Sequence, residues 1–328
     1  MIIVRGSQNL PPVLAGLNPA TRSVVTIGNF DGIHQGHRRI MDLVIQKAKA
    51  VQGIAAVYTF RPHPQEALRP NYPIQLLSTY DEKLEILASL GVELTVEETF
   101  GPDVFSLSPE EFFTDILLGR FKAKAIVVGH DFAFGKDRKG DLAALASLCS
   151  EAGVELDIVP AFKIGNHTVS SSSIRKSLLA GDIALATQLL GRPFTYRGVV
   201  MRGDARGRTI GFPTANLKLE NKLALPHGVY ATQACLKRGE GKYQVLPSVT
   251  NVGVRPTFKP AESELPVVVE THVLDQVFED FNIYGETLEV RFIQKLRSEL
   301  KFSGIESLKI QIQKDAEQAR QLLPQSAV

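Results

Sequence analysis

The segment Gly28-Asn29-Phe30-Asp31-Gly32 leads directly into Ile33-His34-Gln35-Gly36-His37. Glycines let a backbone approach a ligand closely, and a helix beginning here offers unpaired N–H groups and the positive end of its dipole. The pattern therefore suits an anionic phosphate. His34 and His37, three residues apart, share one side of a first helical turn, where both can donate to phosphate oxygens. A second stretch, Gly203-Asp204-Ala205-Arg206-Gly207-Arg208-Thr209-Ile210-Gly211-Phe212, sets a flexible basic loop against Pro213-Thr214-Ala215-Asn216. The Thr214 hydroxyl and the Asn216 amide oxygen are hard ligands that suit magnesium bridging nucleotide phosphates. Each pattern has other readings. The histidines could be structural caps, or could ligate a metal together with His63, although no carboxylate or thiolate set lies nearby. The basic loop could be a surface loop before a strand, or a nucleic-acid contact, although it lacks interleaved aromatic residues.

Elements of two kinds must position these residues. From the N-terminus to about residue 180, short β-branched runs alternate with amphipathic stretches, as in a parallel sheet with crossover helices. Strands are expected at 24–27, 54–60, 125–128 and 154–159, and Ile40, Met41, Val44, Ile45 and Ala48 fall on one helical face. Thr79 with Glu82, and Ser108 with Glu111 around Pro109, read as capping boxes, and Gly91 stands where a helix should end. These mark helix boundaries and suggest no chemistry. Three segments, 59–64, 128–135 and 170–175, fall at the carboxyl ends of strands or at a helix start, where open α/β sheets bind ligands. Beyond about residue 191 the rhythm is that of a small antiparallel barrel, with strands near 229–236, 245–252, 267–274 and 288–292 and a closing helix from Ile305 to Leu323. The natural boundary is Gly181–Gly191, giving domains 1–185 and 186–328.

The chain has 328 residues, 44% of them hydrophobic and 22% charged, which predicts two globular domains that each bury a core. With 37 basic and 35 acidic residues, the net charge of +2 gives no long-range electrostatic reason for nucleic acid or an anionic membrane as partner. Cys149 and Cys235 form neither a disulfide framework nor a zinc knuckle. No secretory signal or membrane-length apolar run is evident, so a cytoplasmic protein is expected.

Taken together, the four N-terminal segments resemble the FMN adenylyltransferase domain of prokaryotic bifunctional riboflavin kinase/FAD synthetases, a branch of the HxGH nucleotidyltransferases. From about Gly191 onward the chain resembles riboflavin kinase. That resemblance rests on Pro213-Thr214-Ala215-Asn216, followed by Pro226-His227-Gly228-Val229-Tyr230-Ala231, Asn251-Val252-Gly253-Val254-Arg255-Pro256-Thr257-Phe258, Glu270-Thr271-His272-Val273-Leu274-Asp275 and the run Leu296–Phe302. The resemblance implies a Rossmann-like domain joined to a small barrel, with riboflavin, FMN and ATP as substrates and FAD, ADP and pyrophosphate as products. Magnesium is implied to be bound with ATP, and no permanently bound redox cofactor is required. In the first half ATP would lie across Gly28, Asn29, Phe30, Asp31, Gly36, Gly129 and Asp131. His34 and His37 would meet its phosphates, and Ser171, Ser172 and Arg175 would grip the β and γ phosphates. Flavin would meet Phe60, Pro62, His63, Asp131 and Phe132 there, and Arg255 and Arg297 in the second half. Gly203, Arg206, Gly207, Thr209 and Gly211 would hold ATP in the kinase, Thr214 and Asn216 its metal, and Glu270 would be the base. An alcohol needs such a base, whereas the FMN phosphate is already anionic.

The chain departs from the family pattern at Ser172, where threonine is common, and at Asn282-Ile283-Tyr284-Gly285, where an acidic residue often precedes Leu-Tyr-Gly. Rival readings are adenylylation of another phosphate such as pantetheine phosphate, a kinase with a degenerate first half, and a flavin-binding regulator without turnover.

Overall fold

The computed structural model describes residues 1–17, 21–69, 71, 74–201, 206–219, 222–239, 243–254, 267–275 and 283–323. The chain divides into two compact units, Met1–Ser171 and Ser172–Val328.

The first unit is built on six parallel strands: β1 Ile2–Arg5, β2 Ser23–Ile27, β3 Ile54–Phe60, β4 Leu94–Glu98, β5 Ala123–Gly129 and β6 Glu155–Val159. Their spatial order is β1-β4-β3-β2-β5-β6. The central strands are apolar on both faces because both faces are covered. On one face the helix Gln35–Ala50 sets Ile40, Val44 and Ala48 against Val24, Ala55, Ala125 and Val127, and the two small alanines let it lie close. On the other face Val25, Ala56, Tyr58, Ile126 and Val128 pack under Leu10, Leu14, Phe113, Leu117 and Phe121. Side chains of successive strand residues alternate between these two cores, as the pleat requires. The strand order reverses on either side of β2, so the carboxyl ends of β2 and β5 border the switch-point crevice of the sheet. A small hairpin, β7 Lys163–Ile164 with β8 His167–Thr168, follows β6.

Two strands, β1 and β4, were not evident from the sequence. In β4 the consecutive carboxylates Glu97 and Glu98 mimic a surface segment, yet both are buried. Glu98 is compensated because the Ser7 amide, the Ser7 hydroxyl and the Tyr58 hydroxyl all donate to its carboxylate. Both expected capping boxes are formed, at Thr79/Glu82 and at Ser108/Glu111.

The second unit is a closed antiparallel barrel of β9 Phe194–Met201, β10 Ala215–Leu219, β11 Gly228–Lys237, β12 Tyr243–Val254, β13 Val267–Val273 and β14 Thr287–Arg297, in the order β10-β13-β12-β11-β14-β9. Strands β9 and β10 are additions to the four strands expected from the sequence. Tyr196, Tyr230 and Phe292 fill the interior edge to face, with Phe194 beside Tyr196. Tyr196 stays satisfied there, donating to Leu223 O and accepting from Leu225 N, each at 2.7 Å. Four wholly buried hydroxyls, Ser248, Thr232, Thr250 and Thr271, form a hydrogen-bonded chain across β11, β12 and β13. The helix Ile305–Leu322 covers the outside of the barrel, with Ala316, Ala319 and Leu323 on Val229, Ala231 and Val249. The helix Ile183–Leu190, capped by Asp182 and ended by left-handed Gly191, packs on β9 and β14.

Candidate active sites

In the first unit the glycine loop is shaped by its own side chains. Phe30 folds back over Gly28, where a Cβ would fall 2.9 Å from Phe30 Cζ, so no larger residue fits at position 28. Phe30, Gly32 and Ile33 all adopt positive φ. Phe30 and Ile33 offset that strain by burial in an apolar cluster with Met41 and Val57. Asp31 turns its carboxylate to the amides of Leu77 and Ser78, at 2.9 and 3.3 Å, and Gly32 N donates to Ser78 Oγ. Its carboxylate therefore anchors the loop to segment 77–78, and its carbonyl accepts from Ser171 Oγ at 3.0 Å.

His34 is the N-cap of helix Gln35–Ala50, its Nδ1 accepting from His37 N at 3.2 Å. In neutral His34 the ring proton therefore sits on Nε2. The His34 and His37 rings stack with centroids 3.6 Å apart, and Phe30 meets His37 edge-on. Burial, and then the proximity of His34, push the His37 pKa well below its ordinary value, so the ring is neutral. Its Nδ1 is buried and has no hydrogen-bond partner among the described residues. Gly36 leaves room for this stack, because a Cβ there would lie 3.2 Å from His34 Cε1 and Nδ1 and would push the ring by a few tenths of an ångström.

The end of β3 joins the loop through a lysine that the sequence did not single out. Lys83, from the helix Tyr80–Ser89, is buried and donates to Thr59 Oγ1 at 2.9 Å, with Asn29 O and Phe60 O each at 3.4 Å. Thr59 Oγ1 in turn donates to Asn29 O. Burial lowers the Lys83 pKa to about 8, against the opposing pull of Glu97 and Asp31. Both carboxylate oxygens of Glu97 are buried without a hydrogen-bond partner among the described residues.

The expected flavin contacts divide. Phe60 continues an aromatic row from Tyr58 to Phe100 and Phe105, and Phe132 stacks on Phe134. His63 instead caps the helix Pro64–Leu68 through Nδ1, next to Pro62. Gly129 is held close by Asp131, whose Oδ1 would lie 3.2 Å from a Cβ there. Ser172 and Arg175 follow Ser171 on the helix Ser171–Leu179, whose residues from Ser172 onward belong to the second unit.

In the second unit Arg206–Thr209 forms one helical turn, and Phe212 N returns to Gly207 O at 2.8 Å. A side chain at Gly207 would collide with Phe212 O and approach Thr214 Oγ1, and Gly211 has φ +89°. The loop thus closes beside Thr214. Asn216 pairs directly with Glu270 across β10 and β13, and Glu270 with Asn251 across β13 and β12. Because Thr271 and Thr250 point into the barrel, these three residues share its outer face. Residues directly opposite on neighbouring strands have Cβ atoms about 5 Å apart, so the Asn216 amide and the Glu270 carboxylate are neighbours. His272, on the same face as Glu270, lies 2.8 Å from Pro213 O through Nδ1. Its pKa is lowered by burial, against the pull of that carbonyl. Arg297 is tied to the terminal helix: Nε and Nη2 fork onto buried Asp315 at 2.8–3.0 Å, and Nη1 donates to Ser298 O. Gly203 and Arg255 lie outside the described residues.

A parallel sheet with a histidine-bearing glycine loop at its switch point, in one chain with a barrel that sets hard oxygen donors beside a glutamate, defines a two-part transferase of phosphorus-containing groups. The FAD synthetase family matches residues 18–173, and the riboflavin kinase family matches residues 190–323. The chain belongs to the bifunctional riboflavin kinase/FMN adenylyltransferases. The relative of that name in Escherichia coli K12 is 35% identical, with 98% of this chain and 97% of that protein covered. The one in Bacillus subtilis 168 is 37% identical over 91% and 92%. A crystal structure described as a macrolide-efflux protein from Streptococcus pneumoniae superposes with a TM-score of 0.84 at 31% identity, covering 98% of this chain and 99% of that one. Among the described residues here, no helix is long and apolar enough to cross a membrane.

Proposed function

We infer that the chain converts riboflavin to FMN in its barrel and FMN to FAD at its glycine loop, consuming ATP in both steps. The observation that supports this reading is that each unit holds its own candidate residues: the stacked His34 and His37 in one, with a buried His37 Nδ1 that has no hydrogen-bond partner among the described residues, and Glu270 in register with Asn216 in the other. In this reading residues 1–185 carry the adenylyltransferase and 186–328 the kinase.

In the kinase, Glu270 takes the proton from the primary alcohol of riboflavin as the γ-phosphoryl group is transferred. The Thr214 hydroxyl and the Asn216 amide oxygen would hold magnesium, which would supply positive charge to neutralise the negative charge developing on the transferred phosphoryl group. The Phe212 N–H bond to Gly207 O keeps the loop near these donors. In the adenylyltransferase, FMN phosphate attacks the ATP α-phosphorus and pyrophosphate leaves. No protein nucleophile is needed, and the chain contributes position and charge. Neutral His37 donates one N–H to phosphate oxygen, and His34 orients it by stacking and by capping. Gly28 to Asp31 supply backbone, and Gly129 and Asp131 border the crevice. Ser171, Ser172 and Arg175 are assigned to the β and γ phosphates on their motif alone. Phe60 and Phe132 offer faces to the flavin ring. Cys149 and Cys235 are both free and buried, which agrees with a reducing cytoplasm.

The test is to follow riboflavin, FMN and FAD chromatographically after adding riboflavin, ATP and magnesium. FMN that rises and then gives way to FAD supports both activities. FMN that persists would leave the first unit without its proposed reaction, and no product from folded protein would favour a binding-only regulator.

A further inference from the structure

Pro213 ends a strand ladder that would otherwise continue. β10 pairs with β13 from Ala215 opposite Thr271, and one further step along both strands would set Thr214 against His272. Proline has no N–H with which to extend such a ladder. The tie that continues past it comes from a side chain, since His272 Nδ1 meets Pro213 O at 2.8 Å. A carbonyl oxygen only accepts, so Nδ1 carries the proton and donates. The same ring meets Phe212 edge-on with centroids 5.5 Å apart. His272 therefore grips both residues that precede Thr214, and it does so from the strand and the face that carry Glu270, two residues away.

We propose that His272 is a positioning residue of the kinase, fixing the Thr214 hydroxyl and Asn216 amide relative to Glu270 through its Nδ1–H bond to the Pro213 carbonyl. The proposal rests on the kinase reading above. It places the metal donors and the proton acceptor on one rigid strand pair, so that ATP bound by the loop enters with its γ-phosphoryl group already in range of the alcohol. His272 touches neither substrate nor metal in this role; it acts on the backbone just ahead of the donors. The tautomer makes the idea testable, because an asparagine amide N–H can replace Nδ1–H at nearly the same reach from Cα, whereas a glutamine amide projects to where Nε2 lies.

Riboflavin phosphorylation is measured for wild type, His272→Ala, His272→Asn and His272→Gln while magnesium is varied at fixed ATP, with conversion of supplied FMN to FAD as the control within the same chain. The alanine and glutamine variants should lose about 10- to 100-fold in kcat/KM for ATP and need more magnesium, as misplacement of reacting groups by an ångström predicts. The asparagine variant should stay within about 3-fold of wild type, and FAD formation should be unchanged in all. Equal behaviour of the asparagine and alanine variants would overturn the proposal, as would an alanine variant with wild-type magnesium dependence. A wild-type chain that makes no FMN would remove the kinase reading itself and this proposal with it, and so is distinguished from failure of His272 alone.

Discussion

Replacing Lys83 by methionine separates what this buried charge does for folding from what it does for the glycine loop. Burial takes its pKa from 10.5 down to about 8, with the attraction of Glu97 and Asp31 already included. At about 1.4 kcal/mol per unit, the charged form weakens the folded state by about 3 kcal/mol at neutral pH, a cost that methionine removes. Against this, the carbonyls of Asn29 and Phe60 and the hydroxyl of Thr59 lose a donor, which costs about 1–3 kcal/mol. The two terms nearly cancel, so denaturant unfolding should find the variant within about 2 kcal/mol of wild type. Between pH 8 and 10.5 the unfolded chain holds the Lys83 proton more tightly than the folded one. Wild-type stability should therefore gain from this residue as pH rises through that window, and the gain should be absent in the variant. FAD formation should fall about 10-fold because the Asn29 carbonyl loses its lysine and is held by Thr59 Oγ1, with FMN formation unaffected. A loss of stability beyond about 4 kcal/mol would show that the lysine is a structural tie whose charge is fully compensated. A folded variant with the wild-type rate of FAD formation would separate Lys83 from the loop's function.

The remaining expectations are narrower. Glu270→Ala should abolish FMN formation while sparing conversion of supplied FMN, and His37→Ala should do the reverse; loss of both activities in either folded variant would contradict two separate sites. Gly36→Ala puts a Cβ 3.2 Å from the His34 ring and should slow FAD formation about 10-fold through displacement of the histidine stack, checked by rate with the kinase as control. Arg297→Ala strands the Asp315 carboxylate in the interior with, among the described residues, Gln311 as its remaining side-chain donor, and should cost about 3 kcal/mol by denaturant unfolding of the second unit.

The sequence exposed the parts whose chemistry is local. Glycines next to histidines, capping boxes and Pro213-Thr214-Ala215-Asn216 depend on neighbours a few residues away, and each stands where its spacing placed it. What it hid depends on partners distant in the chain. Glu98 reads as a surface residue until Ser7, 91 residues earlier, closes on it. Lys83 falls in an ordinary capped helix, and only the fold brings it to Asn29. Arg297 gives no sign in its own motif that its planar fork finds a buried carboxylate 18 residues on. The pairing of Asn216 with Glu270 is a matter of strand register, which neither motif contains alone.

The chain of hydroxyls inside the barrel acts as an alignment key. Each step of a β-strand turns its side chain to the opposite face, so a one-residue slip of β12 would withdraw Ser248 and Thr250 and force Asn251 into a dry interior beside Tyr230 and Phe292. Thr232 and Thr271 would lose their partners in the same step. The slipped arrangement is thus penalised on both faces at once, and the alignment that seats Glu270 between Asn216 and Asn251 is the one the interior can tolerate.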